Sequence, residues 1–181
     1  MTREPFTKNN IKYIKVTMKS NDVVCEACRP KYFYRNMFHF PIKSLSIRTS
    51  SFRKASPWET ETNTYSVWIT IFNNENKYND DTTWLEEIDK KGNIITRTFL
   101  KDENNDLSNS GELHIIHNAT EPDNNIKSRL YVVFGRDKKN ISFYGVYKLK
   151  ERNTTNSTLT LVYERIAKEF SYNIKDIPNF R

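Results

Sequence analysis

Arg129–Glu151 reads RLYVVFGRDKKNISFYGVYKLKE, and the reading of this stretch decides the fold class. Leu130, Val132 and Phe134 alternate with Tyr131 and Val133, and Ile141, Phe143, Gly145, Tyr147 and Leu149 alternate in the return run. A period of two belongs to the extended chain, whose successive side chains point to opposite faces. Asp137-Lys138-Lys139-Asn140 supplies the turn, so 129–149 is predicted to be an antiparallel hairpin. Gly145, inside its second strand, marks a close approach or a bend.

The same period recurs outward from this hairpin. In 63–74 Tyr65, Val67, Ile69 and Ile71 share one face, with Trp68 and Phe72 on the other. Strands are also expected at 10–20, with a bulge at 13–14, and at 43–49, 93–100, 112–117 and 157–166. One internal helix is expected over 81–91. There Asp80, Asp81 or Thr82 would cap a turn carrying Trp84, Leu85 and Ile88, and Gly92 would stop it. The tail 168–180 has room for one helical turn before Pro178. These elements predict a mainly β (α+β) chain: a curved antiparallel sheet or pseudo-barrel with one or two short helices. The 181 residues fit a single β-barrel-like domain, 1–181, whose portion 1–57 is irregular, aromatic and basic.

The apolar fraction is 36%, below the roughly 45–50% of ordinary globular chains. The 11 Phe, 10 Tyr and 3 Trp offset this, because each ring buries a large area. With only four glycines, the turns must rely on Asn and Asp, which tolerate positive φ. No apolar run follows the first charges and none is long enough to span a membrane, so a cytoplasmic protein without a membrane partner is expected.

The net charge of +7 is unevenly spread. Residues 1–57 hold 12 Lys/Arg and 3 Asp/Glu, 58–127 hold 6 and 14, and 128–181 hold 11 and 5. A basic–acidic–basic order can bring two basic ends onto one face, the footprint of a polyanion-binding protein. A solvated lysine-rich surface would carry the same composition.

Three constellations could carry chemistry. Cys25-Glu-Ala-Cys28 has the spacing of half a zinc site, and His114, His117 or His39 could complete it. With no second CxxC, and with residues three apart on a strand facing opposite ways, the cysteines are expected reduced and metal-free, and no cofactor is assigned. The acids Asp80, Asp81, Glu86, Glu87 and Asp89, with Lys91, are the nearest set to a metal-dependent nuclease site. No Ser elbow or Gly-rich phosphate loop is present, so no catalytic residue is assigned. The third set is aromatic and basic. Cations neutralise phosphates, and rings give bases a surface to stack on. Arg48, Arg53, Lys54, Trp58, Tyr65 and Trp68 are the candidate nucleic-acid-binding residues. In a chain this rich in rings, most of them must also serve as core.

The segments RLYVVFGRDKKNISFYGVYKLKE and LTLVYERIAKEF resemble the closing strands of the PUA-like and SRA-like β-barrels of bacterial modification-dependent restriction proteins. The likeness covers some 40 residues in the C-terminal part and carries no catalytic signature. It implies a DNA-reading module, with DNA favoured over RNA, working in a restriction or defence system beside a separate nuclease subunit. It also implies that the 129–149 hairpin is scaffold more than pocket. Two other readings stay open: a phage- or plasmid-encoded inhibitor or antitoxin that binds protein, and a nuclease using the acids of 80–91.

Overall fold

The computed structural model describes residues 1–27, 33, 37, 58–59, 63–70, 84–101, 104, 128–136 and 140–176. The chain opens with a hairpin of β1 (Thr2–Lys8) and β2 (Ile11–Lys19), joined through Asn9 and Asn10 at φ 51° and 60°. Positive φ at both central residues is the type I′ geometry whose twist matches the strands, and Asn supplies it here in place of glycine. β11 (Glu169–Lys175) adds to the far side of β2, completing a three-stranded antiparallel sheet ordered β1-β2-β11. Its register over β2 is continuous, so the bulge expected at 13–14 is not formed. The helical turn expected in the tail is instead strand β11 as far as Lys175, because Phe170, Tyr172 and Ile174 alternate toward the core.

The second sheet has eight strands. It runs β4 (Trp58–Glu59), β5 (Asn63–Thr70), β8 (Ser128–Arg136), β9 (Ile141–Thr154), β10 (Thr158–Ala167), β7 (Ile94–Leu100) and β6 (Trp84–Ile88), with β3 (Val23–Cys25) on β9. The predicted hairpin is β8–β9, paired antiparallel from Tyr131↔Tyr147 to Arg136↔Ile141. β5 runs parallel to β8, so the sheet is mixed and not wholly antiparallel as expected. Strand β8 is apolar on both faces, as a central strand with a parallel neighbour requires.

The predicted helix over 81–91 is a strand, β6, hairpinned to β7 through Asp89–Asn93. Asp89 accepts hydrogen bonds at Oδ1 from the Asn93 and Ile94 amides, and Gly92 takes φ 66°. The lysine pair and glycine that resembled a helix end are the loop of this hairpin. Cross-strand pairing of Glu86 with Arg97 then supplies what a helix could not.

The large sheet curls into a half-barrel. In a flat sheet β5 and β10 would lie about 14 Å apart, three strand spacings. Yet the rings of Trp68 on β5 and Tyr163 on β10 have centroids 5.1 Å apart, and Arg97 on β7 lies 5.6 Å from the Trp68 ring. The face carrying these residues is therefore strongly concave. Register shifts at Val133/Phe134, Val162/Tyr163 and Arg165/Ala167 place extra residues in the central strands and bend them. Gly145, at φ 144°, sits where β9 passes from β8 to β10; a Cβ there would lie 2.6 Å from Arg165 Cδ and 2.8 Å from the Ala167 carbonyl oxygen.

Two apolar clusters follow from the alternation. One lies between the small sheet and the outer face of the large one, joining Val16, Met18, Tyr172 and Ile174 to Val67, Ile69, Leu130, Val132 and Phe134. The other fills the concave side with Trp68, Tyr131, Val133, Tyr147, Tyr163, Ile95 and Phe99. The face assignment read from 63–74 holds for Val67, Ile69 and Trp68. Strands expected at 43–49 and 112–117 lie outside the described residues. Cys25 is disulfide-bonded, contrary to the expected free thiol, and the chain's other cysteine is Cys28. A sulfur held in a disulfide is not a thiolate available to a metal.

Candidate nucleic-acid interface

Three turns and two strands meet around a cleft of about 780 Å³. Ser20 and Asn21 come from the β2–β3 turn, Glu87–Gly92 from the β6–β7 hairpin, Tyr144 from β9, Arg165 from β10, and Lys168 from the β10–β11 junction. The β2–β3 turn is fixed by Asn21 at φ 75°, by the Asp22 amide donating to Lys19 O, and by Lys19 N donating to Asp22 Oδ2 at 2.8 Å. That backbone hydrogen bond is the main cause holding the Asp22 carboxyl below its ordinary range. Ser20 N donates to Lys168 O at 2.7 Å, which ties the turn to the β10–β11 junction.

Arg165 gathers these pieces. Its NH1 group donates to Ser20 Oγ (3.1 Å) and to Tyr144 O (3.3 Å), while NH2 donates to Lys91 O (3.0 Å) and Asn93 Oδ1 (2.7 Å). All four acceptors are uncharged. The guanidinium is thereby oriented in the cleft without a carboxylate in any of these bonds, and its positive charge still projects a field. Tyr147 closes the base of the hairpin by donating from its hydroxyl to Gly92 O at 2.6 Å. Burial pushes its pKa up to about 12, with the Arg165 charge opposing that shift.

Around Arg165 the cleft carries Lys90, Lys91 and Lys168, all exposed, against the carboxylates Glu87 and Asp89. Asp89 has one oxygen occupied by two turn amides. The cations outweigh the acids in a concave site, the electrostatic requirement for holding a phosphodiester. Tyr144 forms part of the wall, its ring lying over Gly135 so closely that a Cβ there would overlap it.

The residues singled out from sequence fall elsewhere. Trp68 is fully buried on the concave face of the half-barrel, edge-to-face with Tyr131 and Tyr163. Tyr65 is partly buried against the other cluster, 5.2 Å from the Phe170 ring. Trp58 is placed by its backbone in β4, opposite Tyr65, and its side chain lies outside the described residues, as do Arg48, Arg53 and Lys54. Among the described acids of 80–91, Glu87 and Asp89 meet at the cleft beside Lys91, and Glu86 does not join them. Glu86 faces the interior in an ion pair with Arg97 (Oε1–Nε 2.5 Å, both side chains fully buried), Glu87 lines the cleft, and Asp89 holds the turn; Asp80 and Asp81 lie outside the described residues. Arg97 also lies 5.1 Å from the centre of the Phe99 ring, so the buried charge is flanked by aromatic faces. His39, His114 and His117 lie outside the described residues, and no group of three potential metal ligands occurs among the described ones.

Sequence reasoning passes over Arg165 and Lys168, and it reads Lys90 and Lys91 as a helix end, Lys91 also as part of a nuclease set, and Tyr144 as scaffold, none of them as a nucleic-acid contact. Lys90 and Lys91 are legible as a basic turn once 84–100 is read as a hairpin. Arg165 and Lys168 stand in VYERIAKEF, where alternation fails between Arg165 and Ala167, a local sign of a bulge.

No family model and no curated protein matches the chain. Among solved structures, the 5-hydroxymethylcytosine-specific restriction enzyme AbaSI is similar, with a TM-score of 0.42 and 15% identity. The match covers 87% of this chain and 41% of that enzyme, so the chain spans less than half of its length.

Proposed function

We propose that the chain is a DNA-binding module whose cleft around Arg165 holds the phosphate backbone, and that it serves a modification-dependent restriction or defence system. The observation that carries the first part is the guanidinium of Arg165, oriented by four uncharged acceptors and surrounded by Lys90, Lys91 and Lys168. Such a site attracts a polyanion while its own geometry is already set, so little ordering opposes binding. The second part is supported by the resemblance of the C-terminal strands to DNA-reading barrels. In this reading the chain positions DNA, and chemistry on it belongs to a separate nuclease.

Fluorescence anisotropy with labelled duplexes, with and without modified cytosine, tests both parts. Binding that weakens steeply with salt is the expected result, with the modified duplex preferred. Absence of binding to either duplex at low salt refutes the module, and equal affinity for both refutes the modification dependence.

A further inference from the structure

The small sheet presents its second face to solvent. Ile14, Val16 and Met18 of β2 and Phe170, Tyr172 and Ile174 of β11 point to the core, so the alternate residues point outward. Among these, Phe6 and Tyr13 are direct partners across β1 and β2, and their rings stack with centroids 5.3 Å apart and planes 18° apart. Among the described residues, neither belongs to, or packs against, either core cluster. Around them the outward positions are Thr2, Glu4, Lys8, Ile11, Lys15, Thr17 and Lys19, followed on β11 by Glu169, Ser171, Asn173 and Lys175.

We propose that this outer face is a platform for unpaired nucleic acid, with bases stacking on Phe6 and Tyr13 and phosphates meeting Lys8, Lys15 and Lys19. A pair of rings on a polar, lysine-bearing sheet matches the recurring chemistry of single-strand binding, in which aromatic faces take bases and flanking cations follow the backbone. Duplex DNA keeps its base faces inside its own stack, so it has no use for these rings; the partner they select is unpaired. Glu4 stands opposite Lys15 and Glu169 opposite Lys19, which tempers those two cations. Lys8 stands opposite Ile11 at the ring-bearing end, where the positive charge is least opposed. From Tyr13 to Lys19 the face runs about 20 Å along β2 at about 3.3 Å per residue. It ends at Ser20 and Asn21, where the cleft begins.

The test is titration of the full chain with labelled oligothymidine, oligouridine and a duplex of equal length. Wild-type protein is expected to bind oligothymidine or oligouridine, the two arms showing which sugar is preferred. Phe6→Leu/Tyr13→Leu, which keeps the apolar contact but removes the rings, should weaken single-strand binding by about tenfold or more and leave duplex affinity unchanged. Tyr13→Trp guards against loss of fold: it retains a stacking face, and the emission of the introduced indole should be quenched when oligothymidine is added. Absence of single-strand binding by the wild type, undiminished binding by the double leucine variant, or unquenched emission from the Tyr13→Trp variant would each overturn the platform. Single-strand binding without duplex binding would sustain the platform while refuting the cleft.

Discussion

Replacing Gly145 by alanine tests the link between the curl of the sheet and the cleft. At φ 144° the residue occupies backbone space that L side chains rarely adopt, and an added Cβ would meet Arg165 Cδ at 2.6 Å and Ala167 O at 2.8 Å. The second contact is with backbone, which cannot swing aside as the end of a long side chain can. Backbone strain of this kind costs about 1–3 kcal/mol, and forced overpacking about as much again. Gly145→Ala is therefore expected to lower unfolding stability by about 2–5 kcal/mol. For a chain of this size that is a fall in Tm of about 5–15 °C. Because the clash displaces the stem of Arg165, the bonds to Ser20, Tyr144, Lys91 and Asn93 should loosen together, and duplex affinity should fall in the protein that remains folded. Urea titration with an unchanged m-value measures the first effect, and anisotropy at a temperature well below the midpoint measures the second. A loss of less than about 0.5 kcal/mol would refute the assigned strain.

Arg97→Met would leave Glu86 as a carboxylate buried without its cation, and should cost about 3–5 kcal/mol; Glu86→Leu/Arg97→Met should recover most of that loss. Chemical denaturation of both variants checks this, and a single variant within about 1 kcal/mol of wild type would contradict it. The Tyr147 phenol stays protonated in the folded chain up to about pH 12, whereas the unfolded chain ionises near 10. Its contribution to stability is thus fully present below about pH 10 and lost as pH rises through about 12. Midpoints measured across this window should fall with pH, and less steeply for Tyr147→Phe; identical slopes would argue against the buried hydroxyl.

The hairpin 128–154, the strand after it and the two faces of β5 are legible because a period of two survives wherever one face packs differently from the other. The parallel union of β5 with β8 is not, since side-chain period says nothing about which strand lies alongside. Asp89-Lys90-Lys91-Gly92-Asn93 ends a helix or closes a hairpin equally well on local chemistry. Glu86 meeting Arg97 inside the curl decides between them, and that contact exists only after β7 has paired. β11 is hard to read because its apolar residues alternate over only seven positions beside a proline that suggests a helical stop. The cleft is hidden for the same reason on a larger scale. Arg165 and Ser20 are 145 residues apart in the chain, and two turns and strand β9 converge on that guanidinium only through the topology. Ring-rich composition draws attention instead to Trp68, whose apolar area is better used inside the half-barrel.

The salt dependence of duplex binding, compared between the wild-type chain and Lys90→Ala/Lys91→Ala/Lys168→Ala, tests the cleft most directly. Each phosphate neutralised adds about 0.9 to the slope of log affinity against log salt. If the three lysines ring a phosphate-binding cleft, the variant's slope should be shallower by about 2.7 while the protein remains folded. An unchanged slope, with affinity equal to wild type at low salt, would place the DNA elsewhere on the molecule and contradict the cleft.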